Sequence, residues 1–333
     1  MNDFRIELTR GELTESTFRV SAAVVDADGA LVAATGDAGL VTFWRSAAKP
    51  FQALPLVADG GADRFGLGDE ELALACASHS SEPVHRDVGR RFLERLGVSE
   101  SDLACGPHAP LGAAVAAQVA REDTTLTPLW SNCSGKHAGM LGLARTHGWP
   151  LAGYERAGHP VQDRILDAVA QWTGVPRDAI ATGVDGCTTV SFALPLHAMA
   201  RAWARFGVSP EPAARRLRDA MVAHPFLIAG TGRLCTELMT AAPAGAIAKI
   251  GAEGVYSAAL PAFGLGLTLK VESGEMRAAN AALIGVLRRL LERLDPGALG
   301  ALAPVAGFDP SPVRNTRGEV TGVLRSAGAL HFR

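Results

Sequence analysis

Arg19-Val20-Ser21-Ala22-Ala23-Val24-Val25-Asp26-Ala27-Asp28-Gly29-Ala30-Leu31-Val32-Ala33-Ala34-Thr35, running on to Thr42, reads as two strands joined by a turn. Aliphatic and β-branched residues flank Asp-Ala-Asp-Gly. An Asp-Gly step between apolar runs signals a hairpin, because glycine takes up the positive φ that tight turns need. Toward the far end of the chain, Val255–Leu260 and Leu265–Val271 have the same character. Between these regions the apolar spacing is helical, at 50–60, 70–76, 86–96, 160–172, 190–206 and 212–222, and a long helix is expected over 278–294. Pro160 opens the fourth of these at a position where a missing N–H is harmless. Strands near both ends around a helical middle predict an α/β (α+β) protein whose one sheet is built from both termini. The expected organisation is a single two-lobed unit over 1–333. Strands from about 1–45 and 245–333 form a sheet lobe, and 46–244 is mainly helical and carries the site loops.

Composition narrows the function. The 333 residues are 48% hydrophobic, enough to bury a large core, and carry a net charge of -2. That balance offers no electrostatic case for nucleic acid or an anionic membrane. Met1-Asn2-Asp3-Phe4-Arg5 lacks the apolar run of a signal peptide, and no apolar stretch approaches the ~20 residues that span a bilayer. Cys76, Cys105, Cys133, Cys187 and Cys235 cannot all pair, so a reduced, cytoplasmic chain is expected.

Lysine is nearly absent. Of 32 Lys and Arg residues only Lys49, Lys136, Lys249 and Lys270 are lysine. Arginine stays charged, whereas a desolvated amine can lose its proton and act as base or ligand. Mutational bias explains the scarcity of lysine but not its company. Lys49 ends Ser46-Ala47-Ala48-Lys49, and a neutral amine three residues from a serine on one helical face can activate the hydroxyl. Pro50 constrains this: Ser46 must lie at a helix start, or Lys49 is extended and the argument weakens. Lys136 lies in Asn132-Cys133-Ser134-Gly135-Lys136-His137, with Val184-Asp185-Gly186-Cys187 downstream. Two thiolates and one nitrogen suit tetrahedral zinc with an open fourth position; His137 is the conventional nitrogen and lysine the unusual one, and spacing does not choose. Both cysteines are also acceptable core thiols. Ser78, in Ala77-Ser78-His79-Ser80, can meet Lys249 only through the fold, and Ser78 or Ser80 could instead cap the helix after Pro83.

Taken together, Ser46-Ala47-Ala48-Lys49-Pro50-Phe51-Gln52, Ala75-Cys76-Ala77-Ser78-His79-Ser80, Asn132 to His137, Gly183 to Cys187 and Lys249-Ile250-Gly251-Ala252-Glu253-Gly254 resemble the L-asparaginase II family, the class 3 or Rhizobium etli-type asparaginases. The resemblance implies a fold related to serine β-lactamases and glutaminases, a homodimer, and hydrolysis of L-asparagine to L-aspartate and ammonia in asparagine catabolism. It implies Ser46 as nucleophile beside Lys49, a second pair of Ser78 and Lys249, and zinc held by Cys133, Lys136 and Cys187. Arg45, His137 and Asp185 are expected to bind substrate, and Cys235 falls where the family tends to carry a cysteine. A glutaminase or other Ser–Lys amidase of β-lactamase-like fold is the alternative. A penicillin-binding enzyme is disfavoured because Lys249 is followed by Ile250-Gly251 rather than Thr-Gly. A non-catalytic zinc module would leave the Ser–Lys pairs unexplained.

Overall fold

A computed structural model describes residues 3–242 and 245–333. The chain is mixed α and β and separates into two compact units. One comprises Met1–Ala47, Leu194–Val208 and Glu237–Arg333, and the other Ala48–Ala193 and Ser209–Thr236.

The first unit is built on an antiparallel sheet. Its strands are β1 (Arg5–Arg10), β2 (Leu13–Asp26) and β3 (Leu31–Thr35) from the start of the chain; Val41–Phe43 (β4) belongs to a separate three-stranded sheet. Numbering past β5 (Ala181–Val184) and β6 (Val190–Pro195), the remaining strands are β7 (Ile247–Ile250), β8 (Val255–Leu260), β9 (Leu265–Val271), β10 (Ser311–Arg314), β11 (Val320–Ala327) and β12 (His331–Phe332). The order is β10-β11-β1-β2-β9-β8-β7, with β3 beside β2 and β12 beside β3. β2 organises it. Its first half pairs with β1, its second half with β9 from Val20↔Val271 to Asp26↔Leu265, and Ala22 to Val25 also pair with β3. Residues 20–25 are all buried. Successive side chains point to opposite faces, so the sheet is covered on both sides there, which is why the stretch reads as a continuous apolar run. The helix Leu196–Val208 packs on β2, β8 and β9, and the helix Met276–Leu294 on β1, β8, β9 and β11. Gly266 has no side chain because one would strike the backbone of Ala200 and Ala204.

The second unit is mainly helical: Lys49–Ala58, Asp69–Ala75, Pro83–Leu96, Ala113–Glu122, Ser134–His147, Pro160–Thr173 and Pro212–Ala223, with the β5–β6 hairpin. Three expectations need correction. The stretch 190–206 is not one helix; Val190–Pro195 is a strand, and the helix begins at Leu196, since Pro195 disfavours helical backbone in the residue before it and costs a hydrogen bond within a helix. The turn-like 130–137 is instead the entry to the helix Ser134–His147, buried without break from Ser134 to Ala144. Neither Ser78 nor Ser80 caps the helix Pro83–Leu96; Glu82 occupies the cap position. No helix among the described residues is long and apolar enough to cross a membrane.

Candidate active site

Arg45, Ser46 and Lys249 belong to the sheet unit. Trp44 is buried and donates its indole N–H to Ser257 Oγ (3.1 Å), whose hydroxyl also meets Thr268 Oγ1 (2.8 Å). This anchors the start of a 3-10 turn, Arg45–Ala48. A Cβ on Gly251 would come within 2.9 Å of the Trp44 carbonyl, so the Lys249-Ile250-Gly251 segment lies directly against the Ser46 turn. Arg45 has φ of 54°, a left-handed conformation costing on the order of 1 kcal/mol for a side-chain-bearing residue. Among the described residues five non-glycines have positive φ, and Arg45, Ser81, Thr188 and Glu253 all lie in or beside the motif segments. Strain concentrated there marks those loops as shaped for something other than stability. Lys249 is fully buried on β7, its amine donating to the Ile250 carbonyl (2.8 Å). The Arg45–Ala48 turn runs straight into the helix Lys49–Ala58, with Pro50 in its first turn. Ser46 and Lys49 therefore share a continuous helical stretch, and the reading with Lys49 extended does not apply.

The helical unit holds Lys49, Ser78, Cys133, Lys136, His137, Asp185 and Cys187. Lys49, Lys136 and Lys249 are each no more than 3% exposed. Burying an unpartnered ammonium costs several kcal/mol, so each must be held. Lys49 is held by the Ala77 carbonyl, the Asn132 carbonyl (3.3 Å) and Ser78 Oγ (3.0 Å). Two carbonyls can only accept. A neutral amine would spend its two N–H bonds on them and leave its lone pair on the Ser78 side. Ser78 N–H donates to the Ile228 carbonyl (2.9 Å), which pins the segment bearing that hydroxyl. Next to it, His79 Nδ1 accepts from Ser81 N–H (3.1 Å), so its proton sits on Nε2 and is donated to Ser134 Oγ (2.9 Å). Burial, and after it the nearby His85, hold His79 far below the ordinary imidazole range. The Ser78 loop is thereby tied to the first turn of the helix Ser134–His147.

Cys133 caps that helix and Lys136 lies three residues on, one turn along the same face. The β5–β6 loop brings Cys187 to them: Asp185 N–H donates to the Thr189 carbonyl (2.8 Å), Thr188 N–H to the Asp185 carbonyl (2.9 Å), and Thr188 takes φ of 82°. Lys136 Nζ lies 2.8 Å from Cys187 Sγ and 2.6 Å from Thr189 Oγ1. A hydrogen bond from the Cys133 thiol, with the Lys136 charge, outweighs burial and holds Cys187 well below the ordinary thiol range. The same bond, then burial, keeps Cys133 protonated. Burial opposes the Lys136 ammonium, but the Cys187 and Cys133 sulfurs and Asp185 prevail and raise it. Tyr154 Oη accepts from Ala104 N–H (2.9 Å) and so donates to His137 Nδ1 (2.6 Å), leaving the His137 proton on Nε2. That N–H is buried with no acceptor at hydrogen-bond geometry, although Cys187 is close enough to weigh on the ring's ionisation, and burial keeps the ring neutral.

Among the described residues no three His, Cys, Asp or Glu side chains gather closely enough to share an ion. Of the donors that zinc would need, Cys187 is held low and lies in contact with the Lys136 amine, whereas Cys133 and Lys136 would each have to give up a proton. His137, with its proton on Nε2, is a donor rather than a ligand. Asp185 is half-buried at the head of the Cys187 loop, and its carboxylate accepts from Gly186 N–H (2.7 Å). Cys235 is buried at the start of the helix Leu234–Ala241, and Cys105 is buried with its thiol pushed up to about 11, chiefly by burial. Sequence reasoning missed Tyr154, Thr189 and the two carbonyls on Lys49. Tyr154 is one of only two tyrosines, a faint signal. Carbonyls give none, since every residue has one.

Residues 6–326 match the family model described as L-asparaginase II. The chain belongs to the L-asparaginase II family. No curated protein matches it in sequence. Membership carries asparaginase-type amidohydrolase chemistry on a small-molecule substrate, and the Lys49 cradle and the Cys133–Lys136–Cys187 cluster are how this member of the asparaginase II family arranges the motifs it carries.

Proposed function

We propose that the protein hydrolyses L-asparagine to L-aspartate and ammonia through a Ser–Lys acyl-enzyme. The observation carrying this reading is the Lys49 amine, buried and gripped by two carbonyls, with its third direction on the Ser78 hydroxyl. Ser46 Oγ attacks the side-chain amide carbon, and its proton passes through the Ser78 hydroxyl to Lys49. Backbone N–H groups at the helix start that carries Ser46 would receive the developing oxyanion, an effect worth roughly 3 kcal/mol per donor. Lys49 then gives the proton to the leaving nitrogen, the C–N bond breaks, and ammonia departs from the ester on Ser46. Water attacks that ester, Lys49 takes its proton and returns it to Ser46, and aspartate leaves. The family resemblance assigns Lys249 to a second pair with Ser78. Arg45, His137 Nε2–H and Asp185 supply one cation, one donor and one anion for the zwitterionic end of the substrate. Zinc on Cys133, Lys136 and Cys187 would offer an open fourth position able to take a substrate oxygen or nitrogen.

The β-lactamase- and glutaminase-like fold and the homodimer rest on the family resemblance; an antiparallel sheet unit flanked by helices and a helical second unit support the former. Five cysteines, which cannot all pair, support a reducing, cytoplasmic setting. Glutamine is the competing substrate, since one methylene is worth only about 1–3 kcal/mol of discrimination. Steady-state ammonia release from asparagine and glutamine, side by side, is the test. Turnover of asparagine with the weaker rate on glutamine is expected. A folded, zinc-loaded protein that releases ammonia from neither would overturn the reading.

A further inference from the structure

We propose that His108 is a positioning residue for Lys49, acting through Asn132; this rests on the Ser–Lys reading. Asn132 supplies one of the two carbonyls on the Lys49 amine (3.3 Å). Its own N–H donates to His108 Nε2 (2.8 Å), and its side-chain Oδ1 is placed 3.1 Å from the same nitrogen, where the amide's NH₂ fits equally well once the amide is turned over. A ring nitrogen that accepts carries no proton, so the His108 proton is on Nδ1, where the Ala109 carbonyl receives it (2.7 Å). The Asn132 amide then turns its NH₂ toward Nε2, the orientation an accepting nitrogen requires. On the other side, Cys133 N–H donates to Ser131 Oγ (3.3 Å), which fixes the peptide plane bearing the Asn132 carbonyl. Asn132 is thus pinned before and after its Cα, and His108 makes both contacts on the near side.

The position of His108 in the chain sharpens the point. It lies on an irregular stretch that continues into the helix Ala113–Glu122, none of whose residues is buried. Gly112 touches this region too, where a Cβ would come within 3.2 Å of Ser80 Cβ. The Lys49 amine is aimed at Ser78 only while both carbonyls are in place. With one carbonyl free to turn away, the amine rotates and the third direction is lost, while the substrate's own contacts are untouched. The effect therefore belongs in kcat rather than KM, and an acceptor of another kind at the same place restores it.

The test compares the wild type with His108→Leu, which has no acceptor, and His108→Gln, whose Oε1 reaches roughly where Nε2 stood. Four lysines give four methylene signals in protein labelled with 13Cε-lysine, and Lys49→Arg identifies the one that matters. In His108→Leu the Lys49 signal should shift and the other three should not; His108→Gln should return it. On asparagine, His108→Leu should lower kcat at least about tenfold with KM within about twofold, and His108→Gln should recover most of the loss. Thermal midpoints of both variants should match the wild type. An unmoved Lys49 signal, an unchanged kcat, a rise in KM alone, or a folded His108→Gln as impaired as His108→Leu would each overturn the proposal. A wild type inactive on asparagine would remove the functional reading, and the lysine spectra would still decide whether His108 sets Lys49.

Discussion

Lys49 is confined on three sides by atoms that differ in what they accept, and that confinement makes its side chain irreplaceable. Arginine at 49 would keep the positive charge but has no lone pair to take a proton. Lys49→Arg and Ser46→Ala should each lower kcat on asparagine by about 10³-fold or more while the protein stays folded; activity within tenfold of wild type in folded Lys49→Arg would reduce the lysine to an electrostatic role. The thiols make a second prediction. Purified protein should carry about one zinc per chain by elemental analysis, and Cys133→Ser or Cys187→Ser should lose it, whereas Cys105→Ser, whose thiol resists ionisation, should not. Zinc uptake must expel the protons of Cys133 and Lys136, so affinity should weaken as pH falls; equal metal content in all three variants would remove the site. At this scale the sequence was legible in where its uncommon side chains would lie. Scarce lysines and motif cysteines stand out in the chain, and three of the four lysines are indeed buried. The Asn132 and Ala77 carbonyls and the tautomer of His137 were invisible, because backbone groups are common to every residue and a proton's place depends on neighbours supplied by the fold.

Helix packing sets how closely the two motif loops of the helical unit approach. Gly135 has no side chain because a Cβ would collide with the Leu74 carbonyl. The first turn carrying Cys133 and Lys136 therefore rests directly on the helix Asp69–Ala75, which leads to Ser78. Gly135→Ala should push these helices apart, lowering stability by about 1–3 kcal/mol and reducing kcat and zinc retention together. Unfolding in urea with the metal content measured alongside is the check, and unchanged stability would mean the helices separate without strain. Elements with a single clear periodicity were readable. The strands Val255–Leu260 and Leu265–Val271 and the helix Pro160–Thr173 fall where alternation, helical spacing and an opening proline put them. The helix Ser134–His147 was hidden because Ser134, Lys136 and His137 are buried along with its apolar residues, so its polar residues do not form the solvent-facing stripe by which a helix is recognised. At 190–206, an apolar run crossed a strand–helix junction without a change in composition, and only Pro195 marked the boundary.

Across the whole molecule, buried neutral histidines set the acid limit. His79 and His85 both have pKa values below 6.5, chiefly through burial. The folded state leaves them unprotonated while the unfolded chain takes up protons near pH 6.5. Stability is therefore complete above that pH and declines as pH falls below it toward the folded values, by up to about 1.4 kcal/mol per pH unit for each ring. Urea unfolding from pH 7 to pH 5 should show this, and His85→Gln should flatten the slope; an identical slope in the variant would clear His85 of the role. The sheet has a consequence in time. Val20 pairs with Val271 and Arg5 with Ala327, so strands made early are completed by residues made much later. At ~5–20 residues per second, a continuous apolar strand waits on the order of tens of seconds for its neighbours during synthesis. Contacts this distant along the chain also slow the search for the native pairing. Residues 48–193 form one uninterrupted stretch of the other unit and leave the ribosome well before the sheet can close. The most exposed moment in the life of this chain is thus the interval in which β2 is made and unpaired, and that is when a chaperone would have most to shield.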